Sequence, residues 1–295
     1  MRSRADTFVA DPISQLAYEQ GEAPRLDPRT GELLWVDIKA GTVHRGVLES
    51  GAVRVVADHD LGVRVGAVAP LGEPGAGWVV AVQDGFAHLA ESGRLTPIVT
   101  GLTSGRDQLN DGVCDPWGRF WAGSQAIPRE PRAALFRLDA DASCTRVLGE
   151  VTVSNGIGFT ADGATMYYVD TLPHRRLEAF DVVDGELAGR RVVADVVGGN
   201  PDGLAVDDEG CVWVAVWDAG AVHRYAPDGR LLAVVTLPVP RPTAVCFAGT
   251  TLVVTTAWLG LDPAPADSGR IFAADVGVGG PAAATWHGTA PRDPA

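Results

Sequence analysis

The chain has 295 residues, 46% of them hydrophobic and 21% charged, with 36 glycines and 20 prolines. That is enough apolar material for a sizeable core in a turn-rich globular fold. The formal net charge of -13 at pH 7 argues against nucleic acid as a partner, because phosphate backbones are held by clustered Lys and Arg, and no apolar run reaches the ~18 residues that would point to a membrane.

In chain order, the first twenty residues carry Arg2 and Arg4, then Asp6 and Asp11, with no continuous apolar stretch, unlike a secretory signal. Six similar passages follow. The first runs from Asp27 through a Thr-Gly turn to Trp35-Val-Asp, and a fainter second one surrounds Trp78. The third runs from Asp115-Pro-Trp-Gly to Trp121, the fourth from Ala161-Asp-Gly to Tyr168, and the fifth from Asp207 to Trp213. A faint sixth surrounds Val253. Each is a polar, Gly-containing turn leading into a short aromatic and β-branched strand. After most of them comes a further strand pair, as at Thr42-Val-His-Arg and Ala221-Val-His-Arg.

The six anchors recur at intervals of about 40–47 residues, the period of propeller blades built from several short strands. No helical periodicity interrupts them. A large sandwich would be all-β too, but gives no reason for six equal units. The sequence therefore predicts an all-β fold: a six-bladed β-propeller with four-stranded blades and a central metal channel. One domain spans 1–295, with residues 1–12 and 278–295 read as peripheral. Cys114, Cys144, Cys211 and Cys246 are far apart and form no CxxC pair, so they read as reduced, buried thiols of a cytoplasmic protein.

The period also locates a site. In a propeller the innermost strand of each blade begins at one end of the channel, so residues 11 to 13 positions ahead of each anchor should face one another around the axis. Four of the six positions hold Glu22, Asn110 (with Asp111), Asn155 and Asp202. The chain has only three asparagines, Asn110, Asn155 and Asn200. Two stand at converging positions and the third lies two residues before Asp202. Asn-Gly and Asp-Gly are ordinary turn dipeptides taken singly; their recurrence at one blade position favours a site. Carboxylates and amide oxygens are hard ligands, suited to one divalent cation, Ca²⁺ first and Mg²⁺ or Mn²⁺ next, with Zn²⁺ open through the carboxylates.

These residues bring a family with them. The chain resembles the SMP-30/gluconolactonase/regucalcin family over residues 13–275, through Gly21-Glu-Ala-Pro24, Leu34-Trp-Val-Asp-Ile38, Asn110-Asp-Gly112, Gly118-Arg-Phe-Trp-Ala-Gly123, Ser154-Asn-Gly156, Tyr167-Tyr-Val-Asp170 and Pro201-Asp-Gly203. The resemblance implies a propeller holding one divalent cation on Glu22, Asn155 and Asp202, with Asn110 on the substrate side. Two places depart from the family's pattern. Gln108 stands where an Arg is usual, with Arg106 out of register, and Ala122-Gly-Ser-Gln-Ala-Ile-Pro128 lacks the usual acidic residue.

The chemistry expected is opening of a small lactone, a sugar-acid lactone or a relative, by metal-activated water. Asp202 takes the proton from the attacking water, and Asn110 and Gln108 orient the ring oxygens. Phosphotriester or aryl-ester hydrolysis on the same site, or a non-catalytic calcium-binding propeller, are the alternatives. Ser124 and Ser154 lack a Gly-x-Ser-x-Gly elbow and a histidine in register, so neither reads as a nucleophile. His44 and His223 read as repeat-strand residues and the eight tryptophans mainly as core. The expected partner is the small-molecule substrate alone, with the chain a monomer or weak homodimer.

Overall fold

The computed structural model describes residues 5–290, and among them there is no helix. Six sheets form a six-bladed β-propeller, each blade built on four antiparallel strands. The innermost strands are Gly21–Leu26, Val65–Pro70, Gln108–Cys114, Ser154–Phe159, Asn200–Val206 and Pro242–Ala248, each against its neighbours around the axis.

The recurring Asp-x-x-Gly passages have a shared physical role. Asp115 Oδ1 accepts from the backbone N–H groups of Trp117 and Arg119, each at 3.0 Å, which closes the turn. Its Oδ2 accepts from the Trp121 indole at 2.7 Å and the Arg119 guanidinium at 2.5 Å. Asp207 repeats this with Glu209, Cys211, Trp213 and Arg224. The anchor ring then packs on the next blade, as Trp121 does on Phe159 and Trp213 on Phe247. Replacing Asp207 by Ala leaves a buried indole N–H and a half-buried guanidinium without this acceptor. The expected cost is about 3–5 kcal/mol, read as a fall in thermal midpoint on the order of 10 °C; an unchanged midpoint would contradict this role.

Both ends of the described chain are woven into blades. Asp11–Pro12 pairs with Phe272–Asp275 as the fourth strand of the sixth blade, and Asp6–Val9 adds a parallel fifth strand to the fifth blade along Leu231–Thr236. Beyond Gly277 the chain crosses the second and third blades: Trp286 is fully buried, bridges Leu71, and is followed by the His287 N–H donating to Gly118 O at 2.9 Å. The remaining parts of the two terminal segments, residues 1–4 and 291–295, lie outside the described residues.

Five of the tryptophans are core, Trp35, Trp78, Trp121, Trp213 and Trp286, whereas Trp117 and Trp258 are exposed and Trp217 lines a cavity. No cysteine is in a disulfide; Cys114 and Cys211 are buried, but Cys144 and Cys246 are only partly so. No described helix is long and apolar enough to cross a membrane.

Candidate metal and active site

In every blade the innermost strand slips register against the second strand near its start: between Glu22 and Arg25, Val65 and Ala67, Leu109 and Gly112, Ser154 and Ile157, Pro201 and Leu204, and Pro242 and Ala244. A bulge breaks strand alternation and re-aims a side chain. Here it falls on the converging residues. The following glycines serve close approach rather than turns. A Cβ on Gly66 would meet Asn110 O at 1.9 Å, and one on Gly156 would meet Asp202 O at 2.7 Å. Asn-Gly and Asp-Gly thus lie within strands, where only a hydrogen atom fits between neighbouring blades.

Glu22, Asn110, Asn155 and Asp202 line one cavity of about 420 Å³ at the channel end, and expose 3%, 4%, 6% and 7% of their surfaces. The amides are fixed. Asn110 Nδ2 donates to Asn155 Oδ1 at 2.6 Å and to Ser154 O at 2.9 Å, and Asn110 Oδ1 accepts from Gln125 Nε2 at 3.0 Å. Asn155 Nδ2 donates at 2.7 Å to Thr171 Oγ1, which donates at 2.8 Å to Pro201 O.

The carboxylates are electrostatically unsatisfied. Burial, then the charges of Asp202 and Asp111, pushes the Glu22 carboxyl well above the usual range. Burial and the Asp111 charge do the same to Asp202, against partial relief from Arg129. Burial also raises Asp111, which the nearby Arg25 guanidinium offsets. Among the described residues neither Glu22 nor Asp202 makes a salt bridge; Glu22 Oε2 accepts only from the Ala23 N–H, at 3.2 Å, so no opposite charge pairs with either at contact range.

This donor set fits a divalent cation. Among the described residues no three His, Cys, Asp or Glu side chains cluster as a metal site, so a cation here would be held by a mixed set of two carboxylates and amide oxygens. Asn155 Oδ1 keeps a second lone pair after accepting from Asn110. Asn200, on the same cavity, has a buried Oδ1 with no hydrogen-bond partner. All-oxygen sites of this kind suit hard cations.

Gln108 lies elsewhere. It is fully buried, does not line the cavity, and its Oε1 accepts from Arg64 Nη1 at 2.7 Å. The cavity wall includes residues that the repeat pattern does not single out: Lys39, Gln125, Arg129, Thr171 and Trp217. Gln125 lies within the segment that departs from the family pattern, and Arg129 follows directly after it. The histidines and serines sit in structural roles. His44 pairs with Asp58 at 2.7 Å and stacks on Trp35, His223 bonds Tyr225 at 3.1 Å, and Ser154 Oγ accepts from Tyr168 at 2.9 Å.

Similar proteins share this architecture. Residues 20–258 match the family described as SMP-30/Gluconolactonase/LRE-like region. A 6-deoxy-6-sulfogluconolactonase of Pseudomonas putida is 37% identical over 236 residues, covering 78% of this chain and 79% of its own. A pentonolactonase of Haloferax volcanii is 33% identical over 251 residues, covering 80% and 81%. The crystal structure of a calcium-binding protein, regucalcin, from Agrobacterium tumefaciens superposes with a TM-score of 0.87 at 27% identity, covering 96% of this chain and 99% of that one. With the family's region matched from the first blade to the sixth, and with relatives above 30% identity over most of its length, the chain belongs to the SMP-30/gluconolactonase/LRE-like family.

Proposed function

We propose that this chain is a divalent-metal-dependent lactonase that opens a sugar-acid or related lactone in the channel-end cavity. The observation that supports it most is the convergence of Glu22, Asn155 and Asp202 from three blades on one cavity, with buried carboxylates that make no salt bridge among the described residues. Relatives named for sugar-acid lactones support the substrate class, and a calcium-binding structural relative supports Ca²⁺ as the first candidate.

A cation held by Glu22, Asn155 and Asp202 supplies a positive centre that polarises a carbonyl and acidifies water. The chain's own groups do the rest. Asp202, buried on the same cavity, takes the proton from the attacking water and returns it to the leaving ring oxygen. Both Asn110 N–H groups are engaged and its Oδ1 accepts from Gln125, so the second lone pair of that oxygen accepts from a substrate hydroxyl, while the second N–H of Gln125 donates. Gln108 acts behind the wall by holding Arg64. A cavity of about 420 Å³ lies within the range of small-ligand sites, ~300–1,000 Å³.

A paired screen of aldonolactones against phosphotriesters, with Ca²⁺ present, tests the reaction class. Lactone opening should exceed phosphotriester hydrolysis by at least about 100-fold in kcat/KM, about 2.7 kcal/mol in transition-state stabilisation. The reverse order would assign the site to phosphotriester chemistry, and inactivity on both with retained metal affinity would mark a binding propeller.

A further inference from the structure

The cavity that gathers the carboxylates also carries two basic side chains, Lys39 and Arg129. Lys39 is the chain's single lysine, in a sequence with 37 acidic residues against 24 basic ones. Acid in such excess quenches most cations, and the arginines illustrate it: Arg45 pairs with Glu32, Arg119 with Asp115, Arg137 with Asp139, Arg224 with Asp207 and Arg241 with Asp218. Lys39 and Arg129 make no salt bridge with any described residue, and they face one cavity.

Cations accumulate there against their own repulsion. Lys39 is partly buried; burial and the charges of Arg64 and Arg129 disfavour its protonated form, and the charges of Glu19 and Asp37 offset this only in part. Arg64 is held at 2.7 Å by Gln108, the residue that departs from the family pattern. Arg129 comes directly after the segment lacking the family's acidic residue, where Ile127 lines the wall. The segment before Arg129, Ala122 to Pro128, offers it no acidic partner, and Glu130 pairs with Arg132 instead. Unpaired cations at a concave site focus a positive potential that would draw an anion through the field of a chain carrying -13.

From this we infer that the lactone accepted by this cavity carries a permanently anionic substituent, a sulfonate, phosphate or carboxylate, remote from the reacting carbonyl, and that Lys39 and Arg129 bind it. The inference rests on the lactonase reading of the same cavity. Guanidinium and ammonium groups bind such oxyanions by charge-assisted hydrogen bonds.

The test compares one sugar lactone ring in neutral, phosphorylated, sulfonated and carboxylated forms, on the Ca²⁺-loaded full chain. An anionic form should exceed the neutral ring in kcat/KM by about tenfold or more, and the arms show which oxyanion is preferred. In Arg129→Gln and Lys39→Gln the ratio of anionic to neutral kcat/KM should fall by about tenfold, mainly through KM. Taking the ratio within one variant cancels any effect on Asp202 shared by both substrates. Equal values for neutral and anionic rings, or a ratio unmoved in both variants, overturns the subsite. If no lactone is opened, the reaction reading fails, and calorimetry decides the subsite alone. Glucitol 6-phosphate binding more tightly than glucitol, with the difference lost in Arg129→Gln, upholds it; equal binding removes it.

Discussion

Replacing Asp202 by Asn is expected to lower kcat by about 10³-fold or more while the chain stays folded, since positioned general bases contribute ~10²–10⁴ and this carboxylate is also proposed to hold the cation. The side chain is buried on the cavity, and its charge is opposed by burial and by Asp111. The substitution is close to isosteric and removes one of the charges that press on Glu22. The metal-free variant should therefore melt no lower than the metal-free parent, which separates lost chemistry from lost structure. Turnover and thermal midpoint measured together check it. Hydrolysis at the parent's rate would remove Asp202 from the reaction.

Stripping divalent cations should have an effect of similar size on turnover, with Ca²⁺, Mg²⁺, Mn²⁺ or Zn²⁺ restored singly to identify the working ion. It should also change how stability responds to pH. In the metal-free chain Glu22 and Asp202 keep their protons well above the ordinary carboxylate range, whereas in the unfolded chain they ionise near ~4. The folded state then binds more protons. Its stability is greatest below the unfolded values and falls as pH rises towards the raised ones, by up to about 1.4 kcal/mol per pH unit for each group. A cation binds the ionised pair, and at a hundred times its Kd stabilises by about 2.7 kcal/mol. Chelated and loaded melting curves should diverge as pH rises above the unfolded carboxylate values, ~4, with the loaded protein higher; parallel curves would contradict the assignment.

The propeller was legible because each blade must solve the same packing problem. Asp115 and Asp207 fasten a turn, an indole and an arginine alike, so the sequence repeats where the physics does. The converging residues were legible for the same reason, since one bulged position per blade meets the axis. Gln108 shows where that logic stops. Two residues before Asn110, it would share a face with it in a regular strand. The register slips between Leu109 and Gly112, and Gln108 turns to Arg64 instead.

Lys39 and Arg129 come from connections between strands, which have no period to reveal them. Trp286 was hidden likewise. It sits outside the six units, in a tail whose Gly, Pro and Ala content suggests little structure, and its burial comes from joining the core around the second blade, where it bridges Leu71.

Calorimetric titration of the chelator-stripped protein with Ca²⁺ tests most directly whether oxygen ligands from separate blades share one cation. The expected result is about one ion per chain, with affinity weakened by about 100-fold or more in Glu22→Gln and in Asp202→Asn, the loss of one charged ligand each costing ~3 kcal/mol. Undiminished affinity in both variants would place the cation elsewhere and contradict the account.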